Sequence, residues 1–220
     1  MTLHIGDDNI VDIRKGNTKI AKVYHGSDLV WGYVPGKVLF ESSTPGAYSL
    51  YVKCRCKLAV IIVGAGGGGA CQGSYYTNNY TVNVSAGGGS GAYINGIIEV
   101  YAGTYQVVVG GAGGYVKYVN AGQEAVGGNG GASSVFGQVA GGGFGGHANT
   151  ADGGGNGGVV QTITSGINGI KGSKSGQVVV WGDYPAVECA GGSSRYGGYG
   201  AGGNGNGTAA TGGYIKIVAI

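Results

Sequence analysis

Charge is what this chain has least of. Charged residues make up 10% of its 220 positions and sum to +3, and arginine occurs only at Arg14, Arg55 and Arg195. A basic groove or an RGG-type segment needs more cations than this, so no nucleic-acid partner is expected. The four cysteines, Cys54, Cys56, Cys71 and Cys189, are too few for a dense disulfide framework and are expected as thiols. Their one close pair is spaced C-x-C, unlike the paired knuckles of zinc sites, which points to small, partly buried thiols rather than metal ligands. The histidines His4, His25 and His147 are scattered, acidic residues number ten, and no Gly-x-Ser-x-Gly elbow occurs. Catalysis needs a positioned base, so a non-enzymatic protein without cofactor or metal is expected.

Long apolar runs are also missing. None reaches the ~18 residues of a membrane span, so no membrane insertion is expected. No ten-residue segment carries an apolar period of 3.6 with capping signals, so the chain reads as all-β. The opening MTLHIGDDNIVDIRKGN lacks the basic and apolar regions of a secretory signal, so synthesis in a cytoplasm without Sec export is expected.

Glycine is present in excess, at 54 residues against an ordinary usage near ~7%. Such a composition often means disorder, but here 42% of residues are hydrophobic and many fall in compact β-type runs. Residues 1–34 hold little glycine. Their runs Asn9–Arg14, Lys19–His25 and Leu29–Tyr33, divided by turn-forming clusters, read as a small three-stranded β-meander that ends at Pro35-Gly36. Residues 37–220 form the second region, with strands expected at Lys37–Glu41, Tyr48–Val52, Leu58–Val63, Ala92–Val100, Thr104–Val109, Ser133–Val139, Gln177–Trp181 and Gly213–Ile220. The run LAVIIV has no polar alternation, which suits a strand buried on both faces.

Between these strands glycine runs recur, among them residues 64–69, 87–91, 110–114, 127–131, 141–146 and 197–203. Their recurrence argues for architecture. A glycine chain in an extended three-residue-per-turn helix points its N–H and C=O groups outward, and several such helices side by side can satisfy one another's hydrogen bonds. The stretch KLAVIIVGAGGGGA does place Gly64, Gly66 and Gly69 in a G-x-G-x-x-G fingerprint. A dinucleotide site, however, needs a helix after that turn and an acid about 20 residues on. Residues 70–85 read ACQGSYYTNNYTVNVS, without a helical stripe, and the next acid is Glu99.

Many of the sixteen tyrosines lie in the inserts between glycine runs. Candidate binding residues are Tyr75, Tyr76, Asn78, Asn79 and Tyr80 in the first insert, Tyr115 and Tyr118 in the second, Trp181 and Tyr184 in a later one, and Tyr196 and Tyr199 in the last. Tyrosine with asparagine, serine and glycine gives rigid amphipathic contact area and adaptable hydrogen bonds, a vocabulary suited to recognition. The competing reading is that these rings cover the protein's own glycine helices.

The succession PGAYSLYV…KLAVIIVGAGGGGA, then GGGSGAYINGIIEVYAGTYQVVVGGAGG, GGNGGASSVFGQVAGGG and GGNGNGTAATGGYIKIVAI resembles the glycine-rich domains of bacteriophage tail proteins. A related arrangement occurs in certain animal receptor tyrosine kinases. Residues 5–34, with IAKVYHGSDLVWG, look like a short β-module at the start of many phage tail-associated proteins. The resemblance implies a β-sandwich joined to packed polyglycine II helices. It implies a tail-tip or tail-fibre component of the virion, docked through residues 1–34 onto other tail proteins. Its inserts would meet a bacterial surface glycan or protein. A purely structural spacer, cap or decoration is the alternative. Phage tails by analogy leave a homo-oligomer open, although no heptad repeat points to one.

Overall fold

The computed structural model describes residues 13–20, 23–25, 28–77, 80–118, 125–148, 160–161, 166–167, 178–180, 191–194, 196–205 and 207–220. Among them every regular element is a strand. Two five-stranded sheets carry the core. Across the first run Gly166–Ile167, Tyr93–Val100, Cys56–Val63, Tyr214–Ala219 and Val38–Ser42, and across the second run Val160–Gln161, Gln138–Ala140, Ser133–Val135, Gly103–Val109 and Gly46–Val52. Side chains alternate between the faces of a strand, so Leu58, Val60 and Ile62 point one way with Ile94, Ile215 and Ile217 beside them. They pack against Leu50, Val52, Val107, Val109 and Val135 in one buried cluster. Each such side chain contributes about 1.5–3 kcal/mol on burial. The all-β reading stands, with a sandwich as its core.

Two strand expectations change. Cys56–Val63 is the middle of the first sheet, but on its outer side Ala59 and Ile61 are only half-buried, because among the described residues no second sheet lies over that face as one does over Leu58, Val60 and Ile62. The run Ser133–Val139 breaks into a tight hairpin at Phe136 and Gly137, whose φ values are 52° and 74°. Two consecutive left-handed residues give the turn that best matches strand twist.

The glycine runs leave and re-enter one end of this sandwich. Residues 64–69 sit in the centre, and their backbone bonds repeat every third residue. Gly64 and Gly67 donate to Ala92 and Gly89, Ala65 and Gly68 donate to Gly131 and Gly128, and Gly66 donates to Thr211, all at 2.8–3.0 Å. In return the Ala65 and Gly68 carbonyls accept from Gly143 and Gly146. Those of Gly66 and Gly69 accept from Gly113 and Val116, and that of Gly67 accepts from Gly203. A third of a turn per residue is the geometry of polyglycine II. The central helix thus touches six neighbours, and they also bond to one another in a closed ring: 87–92, 141–146, 127–131, 110–114, 208–213 and 200–204. It is a hexagonal bundle.

Close approach is what requires glycine here. A Cβ on Gly66, Gly67 or Gly68 would lie 1.8–2.1 Å from the carbonyl oxygens of Ala201, Phe144 and Gly114, which belong to three different neighbours. Ala65 is the exception, its methyl fully buried at the root of the bundle.

Residues 64–69, 110–114, 141–146 and 200–204 run away from the sandwich, while 87–92, 127–131 and 208–213 run back. Six residues at about 3.1 Å each make a shaft of about 19 Å. At its far end a sheet holds Val116–Tyr118, Ala70–Thr77, Tyr80–Ala86 and Val178–Val180 in that order, and Ala125–Val126 pairs with His147–Ala148. The root of that end is sealed by Ala70, Ala86, Ala125 and Ala148.

The expected N-terminal meander is instead a pair of hairpins among the described residues: Ile13–Lys15 with Thr18–Ile20, and Val23–His25 with Asp28–Trp31. The expected run Lys19–His25 is shared between them, since the turn at Gly16 (φ 62°) pairs its first half backward. Residues 9–12 of the expected first run lie outside the described residues. Tyr33 then anchors the chain at the sandwich end remote from the bundle. Its hydroxyl accepts the Lys53 N–H at 2.9 Å, and its ring packs on the core.

Candidate functional site

The bundle sorts the candidate residues by position. Tyr75 and Tyr76 lie on Ala70–Thr77, Tyr80 begins Tyr80–Ala86, and Tyr118 ends Val116–Tyr118. All four therefore sit in the distal sheet, on strands rather than in the loops expected for the inserts. The reason is local: Tyr, Thr and Val favour a pleated surface, and Tyr75, Tyr76 and Thr77 pair with Val82, Thr81 and Tyr80. Asn78 and Asn79, between the paired Thr77 and Tyr80, lie outside the described residues, as do Trp181 and Tyr184.

Tyr196 and Tyr199 are at the other end. They belong to a tight turn at the sandwich rim, where Gly197 and Gly198 have φ of 54° and 86°. The Ser194 hydroxyl caps that turn by accepting the Tyr196 N–H and donating to the Tyr199 carbonyl. The turn lays both rings on the outer face of the first sheet, where Tyr93 and Tyr214 flank Val63 in register. The four rings form one stacked column, with centroids 5.8 Å apart for Tyr93 and Tyr196, 5.6 Å for Tyr196 and Tyr214, and 4.5 Å for Tyr214 and Tyr199. Such pairs contribute about 0.5–1.5 kcal/mol beyond area burial. Sequence reading singled out Tyr196 and Tyr199 but missed their partners, which had a shared signal: each begins a strand directly after a returning glycine run.

The third ring of the column meets a charge. The buried Tyr214 hydroxyl donates to Glu41 at 2.5 Å, and the Lys216 ammonium is 3.1 Å from the other Glu41 oxygen. The Tyr214 hydrogen bond, then Lys216, hold the Glu41 carboxyl below its usual value of 4.5, while burial and then the Glu41 carboxylate push the Tyr214 phenol up. A carboxyl with a lowered folded-state value adds stability above its unfolded value and loses it as pH falls through the folded one. Glu41→Gln should therefore lower the melting temperature at pH 7 and leave it nearly unchanged once Glu41 is protonated in both states, which a pair of thermal scans at pH 7 and in acid would read.

Tyr115 sits where the shaft meets the distal sheet. It follows the outgoing glycines 110–114, and its hydroxyl reaches the Gly205 carbonyl at 3.4 Å. Burial, then the neighbouring Cys71, push its phenol up to about 12. Cys54, Cys56 and Cys71 are thiols outside any disulfide, and burial pushes Cys56 up to about 11, which suppresses the reactive thiolate at neutral pH. Cys189 lies outside the described residues. No cluster of three or more His, Cys, Asp or Glu occurs among the described residues, and no helix among them is long and apolar enough to cross a membrane.

A family model described as a glycine-rich domain matches residues 42–217, a span that takes in most of the sandwich, the whole bundle and the distal strands. No curated protein matches the chain.

Proposed function

The chain belongs to the glycine-rich domain family, and on that footing we propose that it is a non-enzymatic tail-tip or tail-fibre protein of a phage virion that offers its distal tyrosines to a receptor on the host surface. The observation that carries this reading is the placement of Tyr75, Tyr76, Tyr80 and Tyr118 on a sheet at the far end of the glycine shaft. A rigid scaffold that ends in tyrosine-rich, asparagine-rich segments suits contact with a glycan or protein surface. The N-terminal hairpins join through Tyr33 at the opposite end, a position suited to docking on another tail component. Replacing Tyr75, Tyr76 and Tyr80 together by alanine should reduce binding of the purified protein to susceptible bacterial cells by at least about tenfold, as expected when aromatic anchors are lost. Cell binding at the original level, with an unchanged circular dichroism spectrum, would remove the proposal.

One observation favours the structural reading for part of the set. Tyr196 and Tyr199 spend their faces on Tyr93 and Tyr214, and Tyr115 reaches the Gly205 carbonyl. These three hold the bundle to its ends, which leaves recognition to the distal sheet.

A further inference from the structure

The second sheet and the glycine helices that continue it carry no charge. Gly46–Val52, Gly103–Val109, Ser133–Val135 and Gln138–Ala140 contain neither acid nor base, and the same holds for residues 110–114, 127–131 and 141–146. The first sheet differs, with Glu41, Lys57, Glu99 and Lys216 in its strands. Leu50, Val52, Val107 and Val109 point into the core, so by alternation Ser49, Tyr51, Thr104 and Gln106 face outward. They lie in register, Ser49 beside Gln106 and Tyr51 beside Thr104. All four are exposed, Tyr51 at 55%.

This face continues along the shaft. Gly103–Val109 leads directly into 110–114, 127–131 leads into Ser133–Val135, and Gln138–Ala140 leads into 141–146. The three helices are consecutive in the ring, in the same order as their strands in the sheet. On the middle one the period of three turns Val126, Asn129 and Ala132 outward, and all are exposed. Ala112 and Phe144 are exposed on the helices to either side, Phe144 at 49%. The Asn129 side chain is fixed in place, because its oxygen accepts the Gly145 N–H at 2.9 Å. Strands and helices together make a neutral strip about 40 Å long and about 15–20 Å wide.

We propose that this strip is an interface between two copies of the chain related by a twofold axis. Depletion of charge around exposed aromatic residues is the compositional mark of an interface core. A charged partner would find nothing to pair with, whereas a second copy meets the strip without like-charge repulsion. Its area, roughly 600–800 Å² per copy, approaches the ~800 Å² per partner of a standard interface. The chain itself shows that a ring helix accepts a neighbour on its outer side: the Gly192 N–H bonds Gly88 at 2.8 Å and the Gly192 carbonyl accepts from Gly202 at 2.9 Å, both from outside the ring.

Sedimentation equilibrium of the full chain, from about 1 μM to about 1 mM, should fit a monomer and a dimer with a dissociation constant on the order of 10 μM. A twofold contact closes on itself, so no larger species should form. Gln106→Glu combined with Asn129→Asp turns two exposed amides into carboxylates of the same shape, and the new Asp keeps an oxygen for the Gly145 N–H. Like charges brought face to face should weaken pairing by at least about tenfold, and about 1 M salt should restore part of it. Lys57→Gln on the first sheet and the triple alanine variant of the distal tyrosines should leave pairing unchanged, which separates this surface from the receptor surface proposed above. Cross-saturation from a protonated copy to a deuterated one should attenuate the amides of Ser49, Gln106, Ala112 and Asn129. A protein that stays monomeric at about 1 mM, assembly beyond the dimer, pairing indifferent to the two carboxylates, or attenuation confined to the first sheet would overturn the assignment.

Discussion

Gly66→Val is expected to abolish the fold. The new Cβ would sit 1.8 Å from the Ala201 carbonyl oxygen and 2.4 Å from its carbon. Ala201 cannot yield cheaply, because its N–H is bonded to the Thr211 hydroxyl at 2.7 Å and its carbonyl to the Thr211 N–H at 2.9 Å. Gly66 cannot move the other way either, since its own N–H and C=O are committed to Thr211 and Gly113. Overpacking of backbone against backbone has no rotamer to relieve it, so the cost should exceed about 4 kcal/mol. That is a large share of a domain's ~5–15 kcal/mol. The contrast is Gly114→Ala, where a Cβ meets nothing within 4 Å and φ is not left-handed. That change should be neutral or stabilise by about 0.4–1 kcal/mol through the unfolded chain. Urea denaturation of the two variants reads the difference directly. Equal midpoints would mean that the glycines are not there for close approach.

Removal of residues 208–220 should be just as severe, although it takes only the end of the described chain. Residues 208–213 close the ring around the central helix. Without them the Gly66 N–H loses Thr211, the Gly200 N–H loses Gly212, and the Gly110 carbonyl loses Gly213. Each buried group left without a partner costs about 1–3 kcal/mol. The strand Tyr214–Ala219 lies between Cys56–Val63 and Val38–Ser42 in the first sheet, so its loss splits that sheet and strips Ile215 and Ile217 from the core. Two such deletions cost about 2–5 kcal/mol each. Hydrogen exchange should find the amides of Gly66 and Gly67 unprotected in the truncated protein. Slow exchange there would show that the ring holds with a segment missing.

The strands of the sandwich were legible because apolar runs such as LAVIIV and YIKIVAI carry their β character locally. The expected Tyr48–Val52, Thr104–Val109 and Gly213–Ile220 recur within two residues of their expected bounds. The glycine helices were legible as a class, since recurrence between strands is visible in one dimension. Their arrangement was not. Which run is central depends on backbone bonds between residues as distant as Gly66 and Thr211, and identical glycines carry no pairing code. Of the distal strands only Val178–Val180 fell within an expected run, Gln177–Trp181; Ala70–Thr77, Tyr80–Ala86 and Val116–Tyr118 were overlooked because Tyr, Asn and Thr in an insert read as loop vocabulary, although Tyr, Thr and Val favour a pleated surface.

The closed ring also governs how this protein can change over generations. Nearly every bond that holds the seven helices runs from main chain to main chain, so the shaft is indifferent to what is spelled beyond its ends. Each outgoing helix and the returning one that follows it act as a pair of sockets for the segment between them, whose ends are fixed by glycines already in place. Within segments such as 70–86 and 115–126, what lies beyond Ala70, Ala86, Tyr115 and Ala125 can therefore lengthen, shorten or be exchanged by recombination without disturbing the sandwich beneath. The outermost surface can thus be rewritten while the close-packed glycines, such as Gly66, Gly67 and Gly68, keep the frame.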